Sequence, residues 1–188
     1  RLRDNQDDAR ALVQKGTAMT PAPKSLAESG GEGWTRAEIR FPVAHRSEAL
    51  DITVLTPEGT SNGKLVVISH GLWDEPESFE GWGRLLAANG YTVLLPSHPG
   101  SDADQQKDLL SGAAAPPNPE ELRLRPLDVS ALLDGVEAGT LSVGEQISID
   151  DVAVVGHSWG ATAAIQLSGL QTTSRKLKTR CQNPRDLD

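Results

Sequence analysis

The sequence has little cysteine, few cations and no long apolar run, and each shortage excludes a class of protein. Its one cysteine, Cys181, excludes an intrachain disulfide and a metal cluster built on several cysteines. Its 18 Lys and Arg stand against 26 Asp and Glu, a net charge of −8, which argues against a nucleic-acid partner and against electrostatic binding to anionic membranes. The most apolar run, residues 65–68, is far too short to span a bilayer. We expect a soluble globular protein and favour the cytoplasm, with which a single cysteine is compatible.

Length and composition divide the chain into a tail and one domain. The 188 residues suit a single domain with an extension. Residues 1–33 combine a charged segment with a stretch of Gly, Pro and small polar residues, which is typical of a tail and linker. We therefore place the domain at residues 34–188. Within it, alternating apolar and polar residues at 37–43 and 50–56 predict two half-buried strands that pair antiparallel.

Three short runs of Val, Leu and Ile without alternation predict strands that are covered on both faces, as in a parallel sheet. They lie at residues 65–69, 92–95 and 152–156. Apolar residues at helical spacing predict helices over 76–90 and 126–138. Strands that alternate with helices indicate the α/β class, with a mostly parallel, doubly wound sheet after the antiparallel hairpin.

The segment 101–121 is rich in Ala and Pro, and we predict a long loop there. A loop of this length in a compact domain covers a site or lacks fixed structure. Its acidic residues Asp102, Asp104 and Asp108 do not have the spacing of a metal-binding loop, so we assign no metal. Nothing else in the sequence indicates a cofactor or an oligomeric state.

The most informative motif is Gly-His-Ser-Trp-Gly at residues 156–160, which has the G-x-S-x-G pattern of a nucleophile elbow. The pattern places a serine at a sharp turn between strand and helix, with its hydroxyl above the sheet and glycines where the two backbones crowd. An apolar strand pattern at 151–155 precedes it, and a small-residue helix pattern at 161–167 follows. The surrounding pattern is therefore the one that the motif requires, and it predicts Ser158 as the nucleophile.

A second segment supplies the complementary feature, a site for the oxyanion. Ser-His-Gly-Leu at residues 69–72 follows the strand at 65–68, where hydrolases with this elbow take one oxyanion-hole N–H. The second N–H belongs to the residue after the nucleophile. These rules predict the backbone N–H groups of Leu72 and Trp159 as the oxyanion donors.

Four strings in this order resemble α/β-hydrolases of the predicted dienelactone hydrolase and platelet-activating-factor acetylhydrolase-like groups. They are VVISHGL, GYTVLLPSHPGSD, RPLDVSALLD and VVGHSWG, within residues 37–170. The resemblance implies an α/β-hydrolase fold and a serine hydrolase of carboxylic esters, with short-acyl lipid esters as one candidate class. It implies Ser158 as nucleophile and Leu72 and Trp159 as oxyanion donors. Ser158 departs from dienelactone hydrolases proper, which use cysteine, and Ser97 stands where relatives often have an acidic residue.

The sequence departs from the expected order of the catalytic triad, which runs Ser, then Asp or Glu, then His. No histidine follows Ser158, and the acids that follow it are Asp186 and Asp188, without a strand pattern before them. All four histidines precede Ser158, and we favour none of them as the base: His45, His70, His98 and His157.

We therefore expect this chain to be a fragment of a larger hydrolase, cut at both ends and without its C-terminal strands. The elbow strand at 152–155 would then form an apolar sheet edge, which favours aggregation. We expect little esterase activity and poor solubility from these 188 residues alone. Two other functions keep the same motif: a non-catalytic ligand-binding protein of this fold, and a thioesterase or acyltransferase with the same nucleophile.

Overall fold

The computed structural model describes residues 33–144, 147–150 and 152–169. The predicted tail and linker, except for residue 33, and the acids Asp186 and Asp188 lie outside the described residues.

In the part of the chain that the structure describes, five strands form one mixed sheet in the order β1-β2-β4-β3-β5. The first two pair antiparallel as a hairpin, as predicted, and β2 also pairs antiparallel with β4. The remaining pairs, β3 with β4 and β3 with β5, are parallel. The strand bounds are β1 Trp34–Phe41, β2 Leu50–Pro57, β3 Leu65–Ser69, β4 Thr92–Pro96 and β5 Val152–Gly156.

Within the described residues, three α-helices and one 3₁₀ turn connect these strands, and a fourth α-helix follows β5. The 3₁₀ turn Pro76–Phe79 leads directly into the first α-helix, so the helix predicted from residue 76 exists in two parts. The longest helix begins five residues before the predicted position and contains Pro126 in its second turn. The helix bounds are α1 Glu80–Ala87, α2 Ala103–Ser111, α3 Glu121–Glu137 and α4 Trp159–Leu167.

The prediction of an uninterrupted loop over 101–121 was wrong, because α2 lies within it. Asp102 caps this helix by accepting a hydrogen bond from the Gln105 N–H at 3.0 Å, and Gly112 ends it in the left-handed conformation at φ 79°. None of its residues is buried, and Leu110 is exposed. Because α2 is stabilised by its caps and buries no apolar stripe, its sequence lacks the helical spacing of apolar residues by which a helix is predicted.

Two apolar clusters cover the two faces of the sheet, and β3 contributes to both. Leu65 and Val67 belong to the cluster that includes Val129 and Leu132 of α3. Val66 and Ile68 belong to the cluster on the opposite face, with Ala87 of α1. Burial on both faces explains why the sequence of β3 does not alternate.

The strand β5 lies at the edge of the described sheet and pairs with β3 alone. Its Val155 is 50% exposed. Because β3, β4 and β5 are parallel, their carboxyl ends meet at one side of the sheet, which is where open α/β sheets bind ligands. Within the described residues, no helix is both long and apolar enough to cross a membrane.

Candidate active site

Ser158 occupies a strained turn between β5 and α4. Its φ of 53° and ψ of −114° are unusual for a residue with a side chain, and such a conformation costs about 1–3 kcal/mol. The turn is held on both sides of the serine: the His157 N–H donates to the Ser69 carbonyl at 3.2 Å, and the Gly160 N–H donates to the His157 carbonyl at 2.8 Å. Ser158 is exposed, so its hydroxyl is accessible to a ligand.

The two glycines of the motif stand where main chains nearly touch. A Cβ on Gly156 would lie 2.1 Å from the Gly160 carbonyl oxygen. A Cβ on Gly160 would lie 2.0 Å from the Ser69 carbonyl oxygen. Real Cβ contacts essentially never fall below 3.0 Å, so a side chain at either position would displace backbone.

The loop after β3 contacts this turn. A Cβ on Gly71 would lie 3.4 Å from the Ser158 Cβ, which brings the Gly71–Leu72 peptide beside the serine. Among the described residues, neither the Leu72 N–H nor the Trp159 N–H has a hydrogen-bond acceptor. The turn therefore combines an exposed hydroxyl with two nearby segments whose main-chain donors are unused.

All four histidines lie in the described ranges, and none hydrogen-bonds Ser158. The His157 ring packs against Gly71 and lies 5.9 Å, centroid to centroid, from the Phe79 ring. The side chain of His157 therefore leaves the turn on the side of Gly71 and Phe79.

A buried chain of hydrogen bonds runs from Ser69 through His98 to Asp128. The Asp128 carboxylate only accepts, so the His98 Nδ1–H donates to it at 2.7 Å and the unprotonated Nε2 accepts from the Ser69 hydroxyl at 2.8 Å. All three residues have no exposed surface. The connectivity is that of a Ser-His-Asp triad, but no substrate can reach Ser69, so this chain of bonds is structural.

Asp128 is the hub of this network. Its Oδ1 accepts from His45 Nε2 at 2.7 Å and from Arg46 Nε at 2.6 Å, and its Oδ2 also accepts from Arg46 Nη2 at 2.8 Å. Burial by itself would raise the pKa of Asp128, but the hydrogen bonds from His45, His98 and Arg46 outweigh it and hold the pKa well below its usual value. The carboxylate is therefore ionised although it is buried.

His70 links this network to the loop beside Ser158. Its Nδ1–H donates to the Gly71 carbonyl at 2.7 Å, and its Nε2 accepts from the His98 backbone N–H at 3.2 Å. Both bonds require the neutral ring, because a proton on Nε2 would face another donor. Burial, with smaller contributions from His98 and Arg125, lowers the pKa of His70 to about 3.

The comparisons with known proteins agree with this geometry. The family model described as the alpha/beta hydrolase family matches residues 65–180, more than half of the chain and including β3, the loop after it and the Ser158 turn. The chain belongs to the α/β-hydrolase family. A comparison with curated proteins finds no match.

Solved structures show the same α/β-hydrolase fold. A lipase in its open form is 24% identical with a TM-score of 0.52 over 72% of this chain. A ferulic acid esterase from Streptomyces cinnamoneus is 16% identical with a TM-score of 0.51 over 72% of this chain, and a cold-adapted esterase from an Arctic intertidal metagenomic library is 20% identical with a TM-score of 0.51 over 73%. This α/β hydrolase chain spans 40%, 55% and 56% of the lengths of these three structures, respectively.

Sequence reasoning missed the buried charges of this α/β hydrolase. Asp128 and Arg125 lie within the resembling string RPLDVSALLD, but charged residues are almost never fully buried unless they are paired, so a helical pattern places them on the solvent side. The available signal was the position of Asp128 next to Val129 and one turn before Leu132, on the apolar stripe of the predicted helix.

The His70 ring makes the free energy of unfolding of this protein depend on pH in the acidic range. Its folded pKa of about 3 lies below the unfolded value of about 6.5, so between these pH values the unfolded chain binds more protons. Stability must therefore fall as the pH falls through this window, at up to about 1.4 kcal/mol per pH unit from this residue. We expect urea unfolding from pH 6 to pH 4 to show a slope about 1 kcal/mol per pH unit shallower in His70→Asn than in the parent chain.

The lowered pKa values of His98 and Asp128 act in the same direction and remain in both proteins. The comparison therefore isolates His70. Equal slopes in the two proteins would show that the folded state accepts a proton at His70 as readily as the unfolded chain does.

Proposed function

We propose that this α/β hydrolase is a serine hydrolase that cleaves carboxylic esters through an acyl-enzyme on Ser158. One observation carries the proposal: an exposed serine in a strained strand-to-helix turn lies beside the unused N–H groups of Trp159 and the Leu72 loop. The hydroxyl oxygen attacks the ester carbonyl carbon, and its proton passes to a general base. The bond to the alcohol oxygen then breaks, the alcohol leaves with a proton, and water hydrolyses the acyl-enzyme in a second addition and elimination.

The proposed stabilisation of the oxyanion comes from main-chain groups. Leu72 and Trp159 N–H donate to the carbonyl oxygen as it becomes negative, and loss of one such donor typically costs about 2.7–4 kcal/mol of barrier. Trp159 is also the first residue of α4, so the positive end of the helix dipole is directed at the same oxygen. The general base is proposed to lie outside the described residues, since no described histidine hydrogen-bonds Ser158.

The substrate class is an ester of a carboxylic acid. The structural neighbours named lipase and esterase support this class, and the resemblance to platelet-activating-factor acetylhydrolase-like enzymes adds short-acyl lipid esters as candidates. The same serine could serve a thioesterase or an acyltransferase. A panel of oxygen esters, thioesters and alcohol acceptors, tested on one preparation, separates these reactions.

The competing function is a ligand-binding protein of this fold without catalysis. The absence of a histidine bonded to Ser158 in the described residues favours it, whereas the strain at Ser158 favours the enzyme. Strain of this kind persists at functional sites because the surroundings enforce it.

Ser158→Ala decides between these functions. In the product of the complete reading frame, we expect this variant to lose p-nitrophenyl ester hydrolysis by at least about 10³-fold and to lose labelling by a fluorophosphonate probe. Ser168→Ala is the matched control, since Ser168 is exposed and lies at the other end of α4. Hydrolysis that survives Ser158→Ala would refute the serine mechanism, and an unlabelled, inactive parent would favour the binding protein.

A further inference from the structure

Arg125 is a fully buried cation next to the candidate site, and its contacts are with main-chain and hydroxyl oxygens. Its Nη1 donates to the His70 carbonyl, and its Nη2 donates to the Gly71 carbonyl at 3.1 Å. Its Nε and Nη2 also donate to the Ser101 hydroxyl at 3.1 and 3.0 Å. The guanidinium carbon lies 5.8 Å from the centroid of the Trp159 ring. One side chain therefore contacts both segments that are proposed to supply the oxyanion donors.

The hydrogen bonds to the Gly71 carbonyl determine the direction of the Leu72 N–H. The peptide bond between Gly71 and Leu72 is trans, since the described residues contain no cis peptide bond. In a planar trans peptide, the carbonyl and the N–H point in opposite directions. Arg125 Nη2 and His70 Nδ1 both hold the Gly71 oxygen, so the Leu72 N–H must point away from both of them.

Ser101, which Arg125 contacts, also holds the next residue of the loop, Trp73. The Trp73 N–H donates to the Ser101 carbonyl at 2.8 Å, and Arg125 contacts Ser101. Trp73 itself has a φ of 59°, which a residue with a side chain adopts only when its surroundings enforce it. Burial lowers the pKa of Arg125 to about 10, so the guanidinium is still charged at neutral pH.

We propose that Arg125, together with His70, is a positioning residue that orients the Leu72 N–H as an oxyanion donor by fixing the carbonyl oxygens of the 70–71 segment. Its role as a donor-orienting group rests on the proposed function, whereas the orientation itself does not. Arg125 touches neither the ester nor the reacting atoms. Its planar fork bridges several oxygens at once, which a lysine ammonium at the same position does not reproduce.

Arg125→Met tests the kinetic consequence in the product of the complete reading frame. With active sites titrated by a fluorophosphonate, we expect kcat to fall about 10²-fold while KM changes less than about threefold, as when one oxyanion donor is lost. The affinity for a trifluoromethyl ketone, whose adduct carries the oxyanion, should fall in parallel. Arg125→Lys should recover only part of the loss.

Arg46→Met is the matched control, because Arg46 is also a nearly buried arginine but binds Asp128, Glu121 and the Pro99 carbonyl instead of the loop. We expect it to lower stability and leave kcat per titrated site within about threefold of the parent, since it removes no oxyanion donor. Equal losses of kcat in Arg46→Met and Arg125→Met, or a normal kcat in folded Arg125→Met, would overturn the proposal.

A measurement of the Leu72 N–H direction is independent of activity. In residual dipolar couplings, we expect the Leu72 amide to fit the alignment of β3 and β4 in the parent and to depart from it in Arg125→Met. An unchanged coupling would overturn the proposal even if activity fell. A changed coupling, together with ester hydrolysis that survives Ser158→Ala, would instead leave the orientation correct and refute the proposed function.

If Arg125→Met does not fold, the two His70 variants provide the test. His70→Asn carries an amide N–H near the position of Nδ1 and can keep the bond to the Gly71 carbonyl, whereas the amide of His70→Gln corresponds to Nε2. We expect kcat to be about tenfold lower in His70→Gln than in His70→Asn, which is the effect of one hydrogen bond. Equal kcat values would overturn the role of the Gly71 carbonyl.

Discussion

Gly160→Ala is expected to destroy the Ser158 turn and with it any activity of this site. The new Cβ would lie 2.0 Å from the carbonyl oxygen of Ser69, 2.6 Å from its carbonyl carbon and 2.8 Å from the His70 carbonyl oxygen. All three contacts are with main chain, so no side chain can rotate away to relieve them. We expect the free energy of unfolding to fall by about 3 kcal/mol or more, measured by urea titration.

The kinetic effect of this change follows from geometry. To restore a normal contact, α4 must move by about 1 Å away from β3, and a displacement of this size at a reacting group typically costs about 10²-fold in rate. We expect fluorophosphonate labelling of Ser158 to slow by at least that factor.

Gly81→Ala is the matched control for Gly160→Ala. Gly81 is the second residue of α1, as Gly160 is of α4, but nothing lies within 4 Å of the Cβ it would carry. We expect it to leave labelling unchanged and to raise stability by up to about 1 kcal/mol, because alanine favours a helix over glycine. Equal effects of the two substitutions would show that the close approach of α4 and β3 does not restrict position 160.

Asp128→Ala is the second substitution with a large expected effect. It removes the acceptor for His45, His98 and Arg46 at once. The buried His98 Nδ1–H is left without an acceptor, and the nearly buried Arg46 loses its bidentate partner and keeps only Glu121 and the Pro99 carbonyl. Breaking a buried charged pair by removing one partner costs about 3–5 kcal/mol. We expect a loss of this size in the free energy of unfolding at pH 7.

Asp134→Ala provides the comparison on the same helix. Asp134 lies in α3 but is exposed, and we expect its removal to change stability by no more than about 0.5 kcal/mol. If Asp128→Ala were as mild, the four hydrogen bonds to this carboxylate would contribute little net stability and the network would serve only to orient its members.

The part of the site that is local in sequence could be predicted. The strand before Ser158, the turn and the helix after it are encoded within sixteen residues, and the structure places them at 152–167 as β5, the Ser158 turn and α4. The non-alternating run at 65–69 likewise predicted a strand covered on both faces, which β3 is. Such signals are reliable because they depend on the period of a single element and on glycine at a crowded backbone.

The remaining part of the site depends on contacts between distant residues. His45 and Asp128 are 83 residues apart in the chain, and Arg125 and the His70 carbonyl are 55 apart. No pattern within one element reports such pairs. For the same reason α2 was missed, since its caps stabilise it and no stripe of buried side chains marks it.

The sequence of this α/β hydrolase by itself determines the α/β class, the strands covered on both faces and the position of Ser158 at a strand-to-helix turn. It does so because the hydrophobic period and the placement of glycines act over a few residues. Only the tertiary structure decided that Arg125, His98 and Asp128 are fully buried and which oxygens and donors they meet there. Charges enter a protein interior only where partners from other elements satisfy them, and those partners are brought together by folding.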